Sequence, residues 1–196
     1  GSNSSYTSVA IKNTGSGSSI TAWVNYHEGL DTGSPEDYLV YLNNTDARVD
    51  NSVHGDTAPT TSVFSFNTGS DDQDYISYCW SEIKGFSKFG TYFGNANNDG
   101  PFVYCGFRPA FVLVKRRSGT GNWQLGDFKR VDTIGMPETL YPNSQLDEQN
   151  EGDFDFLSTG FKIRSTGTDA NGNGDAYIFM AFANAPTVNS KGIPVG

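Results

Sequence analysis

One run of residues is used twice in this chain. Val9-Ala10-Ile11-Lys12 returns 103 residues later as Val112-Leu113-Val114-Lys115. Self-similarity on that scale points to two copies of one supersecondary unit that bury each other's apolar faces. The match continues downstream. Trp23 corresponds to Trp123, YLNN at 41–44 to LYPN at 140–143, and TGSDDQDYISYCW at 68–80 to TGTDANGNGDAYIFMAF at 166–182. Alternation along a strand puts Ile76, Tyr78 and Trp80 on one face of the first copy, and Ile178, Met180 and Phe182 on one face of the second. Those two faces are expected to meet in a common core.

Helix is nearly excluded, because no stretch of 12 residues keeps helical apolar spacing without Gly, Pro or Asn interrupting it. The 14% aromatic content and 23 Gly instead suit short strands joined by turns. Strands are expected near 8–12, 20–26, 37–42, 61–66 and 75–82, then near 111–116, 122–128, 138–141, 154–164 and 176–183. The expected fold is therefore all-β: an antiparallel, jelly-roll-like β-sandwich of two pseudo-symmetric repeats in one domain. Residues 1–8 read as an N-terminal extension opening on an expression scar, Gly1-Ser2, which would place the natural start upstream. The first repeat covers 9–82, a connecting segment 83–110, the second repeat 111–186, and a tail 187–196.

Thirteen Lys and Arg against 22 Asp and Glu leave a formal net charge of -9. That excludes a nucleic-acid binder driven by phosphate neutralisation. Residues 9–82 hold 11 acids and 2 bases, whereas 112–183 hold 10 and 7. The acidic first half is either a solvated face or a docking surface. The longest near-apolar run, 176–183, falls far short of the roughly 20 residues of a membrane-spanning helix, so no span is expected. Cys79 and Cys105 lack metal-ligand spacing and read as two buried thiols rather than a disulfide.

Catalytic signatures are sparse, and the chain is read as no enzyme. His27 and His54 are its imidazole bases, and Gly85-Phe86-Ser87-Lys88-Phe89 fails the nucleophile-elbow pattern at its last position. Neither G-x-G-x-x-G nor a phosphate-binding lysine loop occurs. A polysaccharide depolymerase would need two convergent carboxylates, for which Glu28, Glu36, Glu82 and Glu138 are candidates. The 169–175 run offers alternating oxygens at Asp169, Asn171, Asn173 and Asp175, as in the first half of a calcium loop. It puts Met180 where such a loop needs its late acid, so an ordinary turn stands beside calcium as the alternative. No other cofactor is implied. Trp23 and Trp123 could stack on sugars or serve the core. The 94–100 loop offers Asn95, Asn97, Asn98 and Asp99 beside Tyr92, an amide-rich set suited to sugar hydroxyls or to a plain connection.

The segments DTAPTTSVFSFN (56–67), YISYCWSEIKGFSKFGTYFGNANNDGPFVYCGFRPAFVLVKR (75–116), DFLSTGFKIRST (155–166) and YIFMAFANAP (177–186) carry a resemblance. The chain resembles an uncharacterised domain family of phage tail and virion structural proteins, mainly marine, often found beside laminin-G-like or concanavalin-like jelly-roll domains. The resemblance implies a virion surface location, in a tail fibre, spike or head appendage. It carries over no catalytic residues; the expected partners are host-surface glycan and other virion subunits, with a homotrimeric parent protein the expectation from the tail-fibre class. Two roles follow from it: carbohydrate recognition, or a purely structural spacer or decoration. Cys105 departs from that pattern, which commonly has a hydroxyl or other small residue there.

Overall fold

The computed structural model describes residues 5–14, 22–67, 74–131, 137–149 and 152–184. The acidic run 71–73, the start of the expected strand at 20–26 and the tail 187–196 lie outside them. The strands are β1 (Ser8–Asn13), β2 (Val24–His27), β3 (Tyr38–Tyr41), β4 (Val49–Asp50), β5 (Tyr75–Trp80), β6 (Ser87–Phe93) and β7 (Phe102–Tyr104). They continue as β8 (Pro109–Arg116), β9 (Trp123–Val131), β10 (Pro137–Leu140), β11 (Phe154–Leu157), β12 (Gly160–Ile163) and β13 (Ala176–Ala183), with one helical turn, α1 (Thr168–Asn171).

Antiparallel pairing assembles them into three sheets: a front sheet β4-β3-β2-β1-β5, a central sheet β10-β9-β8-β13-β6 and a back sheet β11-β12-β7. Each large sheet contains a Greek key, in which three successive strands pair in turn and a fourth returns beside the first. The order is β3-β2-β1-β5 in front and β10-β9-β8-β13 in the centre. Register agrees as well: Lys12 pairs with Ile76 and Ala10 with Tyr78, while Lys115 pairs with Ile178 and Leu113 with Met180. Trp23 donates its backbone N–H to Asn43 Oδ1 at 2.9 Å, and Trp123 donates to Asn143 Oδ1 at 2.7 Å. The sequence match paired Asn143 with Asn44, whereas the asparagine that makes the similar bond is Asn43.

The long return connections differ in content but not in place. Residues 51–74 bring Val53, Phe64 and Phe66 over Val9, Ile11, Tyr26, Val24 and Leu39 on the outer face of the front sheet. Residues 141–175 bring β11 and β12 over the outer face of the central sheet, where Phe154, Phe161 and Ile163 pack on Val112, Val114, Tyr177 and Phe179. The inner faces meet through Leu30, Val40, Leu113, Trp123, Ile178 and Met180. Covered on both sides, β13 is buried at Ala176–Ala181, which is why its sequence is a continuous apolar run rather than an alternating one.

Three sequence expectations need correction. Residues 61–66 form no strand: Thr60 and Val63 bond to each other through backbone and hydroxyl, consuming groups that a ladder needs. Residues 154–164 are a hairpin rather than one strand, turning at Ser158-Thr159; a Cβ on Gly160 would sit 2.1 Å from Val103 O. Residues 83–110 are more than a connection, since β6 completes the edge of the central sheet and β7 that of the back sheet.

Candidate functional site

The inner faces of the front and central sheets do not close along their whole length. Between them runs a groove of about 540 Å³. The front sheet supplies its floor from Ala10 and Lys12 on β1 and one wall from Tyr78 and Trp80 on β5. Trp23 enters just before β2, and Leu42 and Asn43 follow β3. Leu113, Leu125 and Pro142 form the facing wall.

Three of these side chains make an aromatic row. Trp23 and Tyr78 have ring centroids 5.9 Å apart with planes inclined by 31°; Tyr78 and Trp80 are 6.2 Å apart and inclined by 24°. Local sequence explains the row. Ala10 pairs with Tyr78 and is small enough for the Trp23 and Tyr78 rings to approach across it. The Asn43 bond fixes the Trp23 backbone. Lys12 Nζ stands 5.6 Å from the Trp23 ring centroid, within cation–π range. Tyr78 is 49% exposed, so the row is accessible to a ligand. A partly wet ribbon of near-parallel rings with one ammonium and one amide beside it can hold a flat, apolar-faced, hydroxyl-bearing molecule.

The nominated site residues are distributed otherwise. Trp23 lines the groove. Trp123 is 2% exposed and donates Nε1–H to Tyr41 O at 2.8 Å, so it belongs to the core. Tyr92 is also buried; its hydroxyl donates to Ala170 O and its ring stacks on Tyr177. Asn95, Asn97 and Asp99 are engaged mainly in holding their own loop. Asn95 and Asn97 accept the N–H of the residue two positions on, and Asp99 pairs with Lys162 and Arg164. Those cations hold the Asp99 carboxyl below its usual pKa. Asn98 is exposed. The sequence placed Tyr78 and Ile76 in the core; both are exposed.

The 169–175 oxygens have other partners. Asp169 accepts from Asn122 N and Nδ2, and Asp175 accepts from Arg116 and Ser118. Buried Asn171 ties the two loops together: its Nδ2 donates to Asn95 Oδ1, Asn97 O and Ser165 O, and its Oδ1 accepts from Asn95 N. Asn173 is exposed. Among the described residues, no group of three or more His, Cys, Asp or Glu gathers as a metal site. A calcium ion here would have to displace the Arg116 and Asn122 contacts.

Both histidines are buried. Buried His27 accepts from Gly29 N through Nδ1 and bonds Phe179 O through Nε2 at 3.0 Å; burial lowers its pKa to about 4. His54, packed among Tyr26 and Phe66, is likewise pushed by burial to about 4. Both thiols are free; Cys105 is buried and Cys79 exposed, correcting the expectation that both are buried. Of the nominated carboxylates, Glu28 and Glu82 share a polar cleft of about 420 Å³ with Ser5, Thr7 and Lys84. Desolvation, and then Glu82, raise the pKa of Glu28, while Glu82 is held by Lys88 at 2.8 Å. Among the described residues no aromatic ring lines that cleft.

Fold and groove define an all-β protein of layered antiparallel sheets with an aromatic surface channel. The chain belongs to the family described as Domain of unknown function (DUF7483), whose model matches residues 2–186. No curated protein and no solved structure matches it.

Proposed function

We propose that this domain is a non-catalytic carbohydrate-binding module that uses the groove between the front and central sheets, and that it is displayed on a phage virion to contact host-surface glycan. The observation that carries the binding reading is the accessible Trp23–Tyr78–Trp80 row, since ring faces suit the C–H faces of pyranoses. The virion setting is supported by the sequence resemblance alone.

We also read the front and central sheets as the two halves of an internal duplication. The shared Greek-key order, matched registers and paired Trp–Asn bonds support this. In the second half Trp123, Lys115 and Ile178 are sealed into the core; in the first half Trp23 and Lys12 line the groove and Ile76 is exposed.

The test is a bacterial-glycan array probed with the domain presented multivalently, because single-site affinity for sugars is weak and adsorption needs several copies. Binding that falls at least tenfold in Trp23→Ala and Tyr78→Ala, with both variants folded, supports the reading. Binding that is lost instead in Asn97→Ala/Asn98→Ala/Asp99→Ala moves the site to the 94–100 loop. A structural role in the virion is the second reading, favoured by the exposed aromatics Phe93, Phe102 and Tyr104 at the ends of β6 and along β7. It predicts a stable oligomer by light scattering and silence on the array.

A further inference from the structure

We infer that the groove selects acidic oligosaccharides, with Lys12 taking a sugar carboxylate while the aromatic row takes the ring faces. This inference rests on the carbohydrate reading and sharpens it.

The argument comes from comparing the two sheets. In the central sheet Lys115 lies between Trp123 and Ile178 in the ladder. In the front sheet Lys12 pairs with Ile76, and Trp23 lies one residue beyond the Val24–Ile11 pair, opposite Lys12. The Lys115 ammonium is fully buried and donates to two carbonyls, Thr45 O at 3.0 Å and Gly121 O at 2.6 Å. That ladder position therefore presents an ammonium that takes oxygen acceptors. Lys12 has the Trp23 ring and, among the described residues, no carbonyl or carboxylate acceptor. In the open copy a ligand's oxygens can take the place of those acceptors.

Charge narrows the ligand further. Lys12 and Arg48 are the two bases between residues 9 and 82, and Arg48 is committed to Asp31. The remaining cation of an acidic half thus stands inside the groove. A charge-assisted hydrogen bond from an ammonium beside apolar rings is stronger with a carboxylate than with a neutral hydroxyl. The row spans two successive centroid spacings of 5.9 and 6.2 Å, which suits a chain of sugars better than a lone anion.

The experiment titrates the full chain calorimetrically with oligogalacturonate, oligomannuronate and oligoglucuronate, each against its carboxyl-reduced form. At least one acid is expected to bind tenfold or more tightly than its reduced form. Lys12→Met should narrow that gap below twofold with melting retained, and Lys84→Met, outside the groove, should keep it. Equal affinity for acid and reduced forms, or a gap that survives Lys12→Met, overturns the inference; if Trp23→Ala and Tyr78→Ala still lose binding, the carbohydrate reading stands without it. Silence from all six sugars overturns the acidic-sugar inference, while the glycan array alone decides the carbohydrate reading.

Discussion

Trp23 and Trp123 make the same backbone hydrogen bond to an asparagine twenty residues on, yet one edges the groove and the other is sealed at 2% exposure. Trp123→Ala should cost about 3–5 kcal/mol, as a large cavity does, and Trp23→Ala about 1 kcal/mol or less. Urea unfolding of the two variants checks this, and the reverse order would contradict the assignment. The sequence could nominate both tryptophans but not separate them, because a repeat fixes which face a residue takes and says nothing about what covers that face. Tyr78 was misassigned for the same reason. The histidines give a second residue-scale expectation. Their folded pKa values lie near 4 against an ordinary 6.5, so below pH 6.5 the unfolded chain takes up protons that the folded one refuses. Stability is full above that value and falls as pH drops from 6.5 towards 4, by about 3 kcal/mol for each histidine. Denaturation midpoints across that range should drop. His27→Gln, which keeps a side-chain amide for hydrogen bonding, should flatten part of the slope; an unchanged slope would rule out His27 as a source.

At the scale of elements, the strands carrying apolar alternation or a continuous apolar run were legible, whereas β6 and β7 were not. Gly90 interrupts β6, where a Cβ would meet the Phe179 ring at 3.1 Å, and β7 has only three residues. Their pairing depends on partners 56 to 95 residues away, which no local pattern reports. The 94–100 loop looked like a recognition loop because amides suit both sugars and turns; here its amides mostly close the loop on itself and on Asn171. Asn171→Ala leaves Asn95 N, Asn97 O and Ser165 O without its amide and should cost roughly 2–3 kcal/mol. Asn98→Ala, at an exposed position, should change stability by about 0.5 kcal/mol or less. Chemical denaturation separates them, and equal small effects would show that Asn171 does not pin the loop. Millimolar calcium or a chelator should leave the melting temperature unmoved, since Asp169 and Asp175 are already held by Asn122 and Arg116; a clear calcium-dependent rise would reinstate the ion.

For the molecule as a whole, two Greek-key sheets pack by their inner faces, an arrangement for which we propose an internal duplication as the origin. The back sheet was not anticipated, because it arises from the return connection of one half and the insertion between halves. That asymmetry matters for the proposed function: the inner faces seal around Trp123, Lys115 and Ile178 but stay apart around Trp23, Lys12 and Tyr78. The most direct test of this account follows the three indole N–H resonances by NMR during titration with the glycan chosen on the array. Trp23 and Trp80 at the groove should shift, while Trp123, bonded to Tyr41 O, should stay. Three unmoved indoles beside shifting backbone amides at 94–100 would place the ligand on the loop and contradict the groove.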